Sequence, residues 1–288
     1  MDPGRSPVID LHAHSTASDG TATPTELVTQ AARAAIGTIA ITDHDTSSSW
    51  PEAADAATRL GIGLVRGTEF STRFRGLGLH LLAYLYDPGD PAIVRMQGEL
   101  REARWERARE MVRRLAADFP LTWDDVAAQA ADDATIGRPH LADALVVAGV
   151  IDSRAEGFAS ILHSSSPYVV KHKKPDTVAV IQAVRAAGGV PILAHPAARK
   201  RGPITDDGGI RALAAQGLAG LEVAHRDHTP ADRARLNVLA IGLGLIRTGG
   251  SDWHGAGKPN RLSEERTTPA ALEAIAAQAT GVPILERR

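Results

Sequence analysis

Two histidines close the first apolar run of the chain, Val8-Ile9-Asp10-Leu11-His12-Ala13-His14, and a polar stretch to Gly20 follows with Asp19 inside it. Alternate residues of a strand share a face, so His12 and His14 project together from the strand's end. Two neutral imidazoles held side by side form half of a divalent-metal site. Alone, the pair reads more readily as surface or network histidines, but the pattern recurs. His44 follows the apolar run Thr38 to Thr42, Glu69 follows Ile62 to Val65, and His80 lies in Leu79 to Tyr84. His195 follows Val190 to Ala194, and Asp252 and His254 follow Leu245 to Thr248. Each has a plainer reading: His80 as a hydrogen-bonded core histidine, Asp252 as the cap of a turn. Six strand ends that all carry ligand-type residues are better explained by convergence on one site.

The elements that must position them alternate. Thr23, Pro24 and Glu26 have the spacing of a capped helix start, and this helix runs to about Ala35. Further helix patterns cover Trp50 to Leu60, Thr177 to Ala187, Gly209 to Gln216, Pro230 to Leu243 and Pro269 to Ala279, with a strand at Gly220 to Val223. Short apolar strands separated by helices predict an α/β fold, a parallel sheet or barrel whose strand ends face one cavity. Between residues 93 and 162 the strand rhythm stops. Leu100, Ala103, Met111 and Leu115 keep helical spacing on one face, with the pairs Glu106–Arg109 and Glu110–Arg114 on the other. The interleaved glutamates favour a solvated helix face over a nucleic-acid patch. Further helices are expected over Trp123 to Ala131, Pro139 to Ala148 and Ser153 to Ile161. The expected organisation is a catalytic barrel from residues 1–92 and 163–288, capped by an all-helical insertion, 93–162.

The 288 residues carry 32 Lys and Arg against 34 Asp and Glu, a formal net charge of -2. No global charge favours duplex nucleic acid or an anionic membrane surface. The chain has no cysteine, so a metal would be held by histidine and carboxylate, a set that suits Zn, Mn or Fe. The N-terminal Met1-Asp2-Pro3-Gly4-Arg5 lacks an apolar signal core and no run reaches membrane-spanning length, so a cytoplasmic enzyme is expected.

The segments HAHSTASDG, TDHDT, GTEFS, the lone His80, AHP and GGSDWHG, in this order and spacing, resemble the PHP (polymerase and histidinol phosphatase) family of metal-dependent phosphoesterases. The resemblance spans essentially the whole chain and implies a distorted (β/α)7 barrel with two to three divalent metal ions. It implies that His12 and His14 bind one metal with Glu69 and Asp252. Glu69 would bridge to a second metal held by His80 and His195, and Asp19, His44 and His254 would hold a third. A hydroxide bridging the metals near Glu69 would attack phosphorus. Asp10 and Asp45 are either partners that orient the histidines or plain strand-end polar residues.

Substrate recognition calls for cations at the mouth. Gly137-Arg138-Pro139-His140, set in a helical insertion, resembles the branch of nucleoside 3′,5′-bisphosphate phosphatases and 5′-to-3′ exonucleases, with Arg138 and His140 as substrate contacts. Lys171 and Arg199 are further candidates, although Arg199 stands one residue later than that branch's arginine. Lys173 and Lys174 are expected to be solvated, and His163 structural or exposed. His225 is a candidate substrate contact or general acid, and His228 a weaker one. The expected reaction is hydrolysis of a phosphate monoester on a small nucleotide. The alternatives are a cyclic-phosphate or phosphodiester hydrolase, a histidinol-phosphate phosphatase and, outside enzymes, a metal-binding proofreading module.

Overall fold

The computed structural model describes residues 7–132, 134–202 and 204–287. The expectation drawn from Met1 to Arg5, and the side chain of Arg201, lie outside the described residues. Seven strands form one sheet in sequence order: β1 (Val8–Asp10), β2 (Ile36–Ile41), β3 (Gly63–Phe74), β4 (Leu77–Tyr84), β5 (Val190–Leu193), β6 (Gly220–Ala224) and β7 (Ile246–Gly249). The fold is an α/β distorted barrel that does not close. The first and last strands approach through an isolated bridge, Ala13 to Trp253, just past their ends.

One expectation needs correction. The barrel is not made of parallel strand–helix units throughout, because β4 runs antiparallel to both β3 and β5. β3 is longer than the run Ile62 to Val65, and Glu69 sits within it. It turns straight into β4 through Arg75 (φ 47) and Gly76 (φ 84). Two consecutive left-handed residues make the two-residue hairpin loop whose twist matches the strands, and glycine takes one of the positions without a Cβ clash. The reversal has a functional consequence. His80, near the start of β4, pairs in register with Ser71 and so lies at the same end as the carboxyl termini of the parallel strands.

The helices α1 (Pro24–Arg33), α2 (Trp50–Leu60), α7 (Thr177–Ala186), α8 (Asp207–Ala214), α9 (Pro230–Gly242) and α10 (Pro269–Gln278) alternate with the strands. The start of α1 is the expected capping box: Thr23 accepts from the Glu26 amide and the Glu26 carboxylate from the Thr23 amide. One buried core joins helix to sheet (Leu27, Val28, Ile39, Leu64, Val180, Ile181). A second groups Ile9, Leu11, Val65, Leu82, Tyr84 and Ile192 with Ala271 and Ile275 of α10.

Between β4 and α7 the chain is helical: α3 (Pro91–Leu115), α4 (Trp123–Ala127), α5 (Arg138–Val147) and α6 (Arg154–Ala159). From Ala108 to Leu162 these helices share a third core, with Met111, Leu115, Leu141 and Leu145 buried. Packing against it continues to Val170, whereas Ile93 and Leu100 of α3 belong to the first core. The block is tied to the strand-end loops at a few points. Thr135 donates from its amide to the Ala17 carbonyl (3.1 Å) and from its hydroxyl to that of His44 (2.9 Å). Among the described residues, no helix is long and apolar enough to cross a membrane.

Candidate metal centre

The strand ends bring all nine expected ligands together. His12 Nε2 and His14 Nε2 lie 3.1 Å apart, and each is 3.1–3.4 Å from Glu69 Oε2 and from Asp252 Oδ1. Four corners about 2.0–2.1 Å from a common centre stand roughly 3.3 Å from one another, the edge of a tetrahedral site. The other Glu69 oxygen, Oε1, meets His80 Nδ1 at 2.8 Å and His195 Nε2 at 2.9 Å. Asp19, His44 and His254 gather beside them, His254 Nε2 at 3.1 Å from Asp19 Oδ1. The sets overlap more than the resemblance implied, since His14 also belongs with Asp19 and His44 also approaches Glu69 Oε2 (3.3 Å).

These donors fit divalent metal ions. Asp19 Oδ1 and His254 Nε2 are buried and make no hydrogen bond despite their proximity. Buried polar atoms left so are costly, and a cation beside both removes the cost. Glu69 and the first histidine pair are shielded from water almost completely, Glu69 being 1% exposed. Two of the donors stand on left-handed backbone, His195 (φ 29) and Asp252 (φ 52). Aspartate tolerates that conformation, whereas for histidine it is a strained position of the kind that clusters at functional sites.

A layer of carboxylates stands behind the cluster, and its most important member was missed in the sequence. Glu222 of β6 accepts from His12 Nδ1 (2.9 Å) with one oxygen and from the His195 amide (2.7 Å) with the other. Burial pushes its carboxyl up, but the His12, His225 and His195 rings outweigh this and hold it down at about 2. An ionised carboxylate only accepts, so the His12 proton is on Nδ1 and Nε2 presents its lone pair to the cluster. Asp43 accepts from the Ser15 amide and from the Ser15 and Ser18 hydroxyls, which braces the loop between His14 and Asp19. Asp10 and Asp45 do not orient histidines. Asp10 accepts from the amides of His12, Ser251 and Ser263. Asp45 accepts from the Ser71 amide and from Arg104 Nε, each at 2.6 Å.

A cavity of about 410 Å³ opens onto Asp19, His44, His80 and His254 and is lined by Arg104, Arg107, Arg138, Arg154, Lys174 and Lys258. The structure redistributes the expected substrate contacts. Arg138 does line the cavity, with one guanidinium nitrogen donating to the Leu162 carbonyl (3.2 Å) and its charge over the Phe158 ring. His140 does not, because at the third position of α5 its ring turns back to accept from the Gly137 amide (3.0 Å). Residues 171–174 alternate as extended chain does, so Lys171 and Lys173 are exposed while His172 and Lys174 face the cavity. Arg199 turns away to Asp232 (2.6 Å). His225 is wholly buried and does not line the cavity. The Asp227 amide donates to its Nδ1, which leaves Nε2 facing Asp252 Oδ2 at 3.6 Å. His228 bridges backbone, donating to the Val223 carbonyl and accepting from the Ala197 amide, and His163 is exposed beside Ser165.

Five cavity cations, Lys174 among them, escaped the sequence reading. Arg104 and Arg107 lie on the arginine-rich helix expected to be solvated, yet Arg104 is 8% exposed and held by Asp45. Arg109 is not paired as expected but covers the rings of Trp105 and Trp123. Arg154 binds Asp143 and donates to the Asp19 carbonyl, and Lys258 lies 3.2 Å from Asp252 Oδ2.

A PHP domain model matches residues 10–87. A 3′,5′-nucleoside bisphosphate phosphatase from Chromobacterium violaceum is 34% identical over 260 residues, 88% of this chain and 89% of the relative. A 5′-3′ exoribonuclease from Haemophilus influenzae is 34% identical over 85% of this chain and 89% of its own length. Among solved structures, a Bifidobacterium adolescentis protein assigned as a metal-dependent phosphoesterase superposes with a TM-score of 0.93 at 42% identity, covering 96% of this chain and 98% of that one. With its donor cluster, its open seven-stranded barrel and these near full-length relatives, the chain belongs to the PHP family of metal-dependent phosphoesterases.

Proposed function

We propose that the chain hydrolyses a phosphate monoester on a small nucleotide bearing a second phosphate, a nucleoside 3′,5′-bisphosphate or the end of a short oligonucleotide. One observation carries this reading: a single cavity joins the donor cluster to a wall of cations, the buried Arg104 and the half-buried Arg107 and Lys174. Arg104 is paired with Asp45 and Arg107 donates to the Val170 carbonyl, but neither Arg107 nor Lys174 has an ion-pair partner among the described residues, so a second phosphate at the wall would meet unneutralised charge. Burial and neighbouring positive charge push the Arg107 and Lys174 cations down from their ordinary values. Such groups gain most from a bound phosphate, which supplies the missing counter-charge. His172, pushed down to about 2 by burial and by Arg104, Lys174 and Arg107, is neutral there, and its buried Nε2 has no hydrogen-bond partner.

Two or three divalent ions (Mn, Fe or Zn) held by His12, His14, Asp19, His44, Glu69, His80, His195, Asp252 and His254 would supply a hydroxide at neutral pH and neutralise phosphoryl charge. The chain's own groups do the rest. Glu222 keeps the His12 lone pair on the cluster, Lys258 adds positive charge beside Asp252, and the Arg104–Asp45 pair fixes one guanidinium of the wall. The similarity to a 3′,5′-nucleoside bisphosphate phosphatase and to a 5′-3′ exoribonuclease supports the same reading.

The test is a comparison of adenosine 3′,5′-bisphosphate, AMP, a cyclic nucleotide and histidinol phosphate as substrates of the Mn-loaded protein. The bisphosphate should show the highest kcat/KM, chiefly through KM. Faster turnover of the cyclic nucleotide or of histidinol phosphate, or indifference to all four, refutes the reading.

A further inference from the structure

The cavity is not cationic all round. Beside the wall from α3 and residues 172–174 lies a second, apolar surface where α5 and α6 contribute Pro139, Ala155 and Phe158. It adjoins Gly257 and Pro259, and the Arg154 guanidinium packs so closely on Gly257 that a Cβ there would stand 2.2 Å from Nη1. Phe158 is half-buried and is the sole Phe, Tyr or Trp among the described residues that line the cavity. Its ring carries the Arg138 guanidinium at 5.3 Å.

We propose that Phe158, backed by Arg138, is the platform on which the base of the substrate nucleotide stacks, an inference that rests on the nucleotide reading above. Every nucleobase has a π-face, and stacking on an aromatic ring or a guanidinium plane is indifferent to sequence. Stacking of this kind responds to the presence of a base rather than to its identity. The two phosphates and the base then have three separate surfaces, the donor cluster, the cationic wall and the Phe158 platform, all within one cavity of about 410 Å³.

The experiment compares adenosine 3′,5′-bisphosphate, uridine 3′,5′-bisphosphate and the abasic tetrahydrofuran 3′,5′-bisphosphate, using the Mn-loaded wild type and Phe158→Leu. Leucine keeps the apolar packing against the helical core but has no π-face, and a thermal melt checks that the variant folds. The wild type should favour both nucleotides over the abasic compound through KM, by roughly 5- to 150-fold, the range that base–aromatic stacking spans. Phe158→Leu should raise KM for both nucleotides by a larger factor than for the abasic compound, so that the gap between them closes. A folded variant with unchanged nucleotide KM, or with KM raised equally for the abasic compound, overturns the platform alone. A wild type inactive on every bisphosphate overturns the nucleotide reading and the platform with it.

Discussion

The donor cluster and the cationic wall share one cavity but are built on opposite principles. Every donor comes from the sheet's own strands or the loops at their ends, and His12 and His195 stand only two residues past the ends of β1 and β5. Their backbone is fixed by ladder hydrogen bonds and by carboxylates such as Glu222 and Asp43. The wall comes from α3 and from the extended residues 172–174 that follow the helical block. Its side chains are long and reach inward from elements whose other faces meet solvent. Under the proposed function, this difference would leave chemistry to the framework and choice of substrate to the helices beside it, the division expected when one scaffold serves several reactions.

The contrast breaks most visibly at Asp252. Asp252→Asn keeps the shape and the tolerance for left-handed backbone but removes the charge. It should lower kcat for every substrate by at least about 100-fold, beyond the 10- to 100-fold typical of losing an outer partner. Bound metal, measured by mass spectrometry after dialysis, should fall with it. Full metal content with full activity would remove Asp252 from the cluster. Glu222→Gln tests the layer behind. The amide cannot hold the His12 tautomer with a full charge, so metal affinity should drop by roughly 10- to 100-fold while the substrate preference stays as it was. A changed ratio of bisphosphate to monophosphate turnover would mean that framework and wall are not separate.

The same division decides what the sequence disclosed. Eight of the nine donors are short-range signals, polar residues that follow or interrupt apolar strands, and they were legible as such, whereas Asp19, in the polar loop beyond β1, came only with the family resemblance. Glu222 obeys the same rule within Gly220-Leu221-Glu222-Val223 and was open to the same reading. The antiparallel β4 was legible too, because the residues between Glu69 and His80 are too few for a crossover helix. The wall is harder. Arg104 falls on the apolar stripe of α3, four residues after Leu100 and four before Ala108, and a charge on a buried stripe was the available signal. Lys174 carried no local signal at all. Its direction follows from the alternation of an extended segment, which becomes visible only once the segment is known to be extended.

Lys174 sharpens the comparison from the wall's side. Lys174→Met should raise KM for a bisphosphate by about tenfold, the lower end of what a charge-assisted contact contributes, with little change for a monophosphate. Its pH behaviour follows in sign. Burial, with Arg104 and Arg107 opposing and Asp45 and Glu69 supporting the charge, brings the ammonium down to about 8. A phosphate dianion binds the protonated form, so KM should rise as pH climbs through about 8 while kcat changes less. Lys174→Arg, charged throughout, should flatten that rise. A bisphosphate KM that is level from pH 7 to 9 in the wild type would mean that Lys174 does not meet the second phosphate.

The smallest effect is expected at Arg199, and the smallness is informative. Its side chain is 59% exposed and pairs with Asp232 of α9 on the outer surface, next to the cap that Asp232 forms with Thr229. An exposed pair contributes about 0.2–1 kcal/mol. Arg199→Ala should therefore leave kcat, the bisphosphate KM and metal content unchanged and shift the melting temperature only slightly. The resemblance suggested a phosphate contact there, one residue later than that branch's arginine, yet a short 3-10 turn over Arg199–Arg201 swings the side chain outward. A bisphosphate KM raised tenfold in this variant would show that the loop folds over the substrate on binding, and the wall would then extend onto the barrel framework.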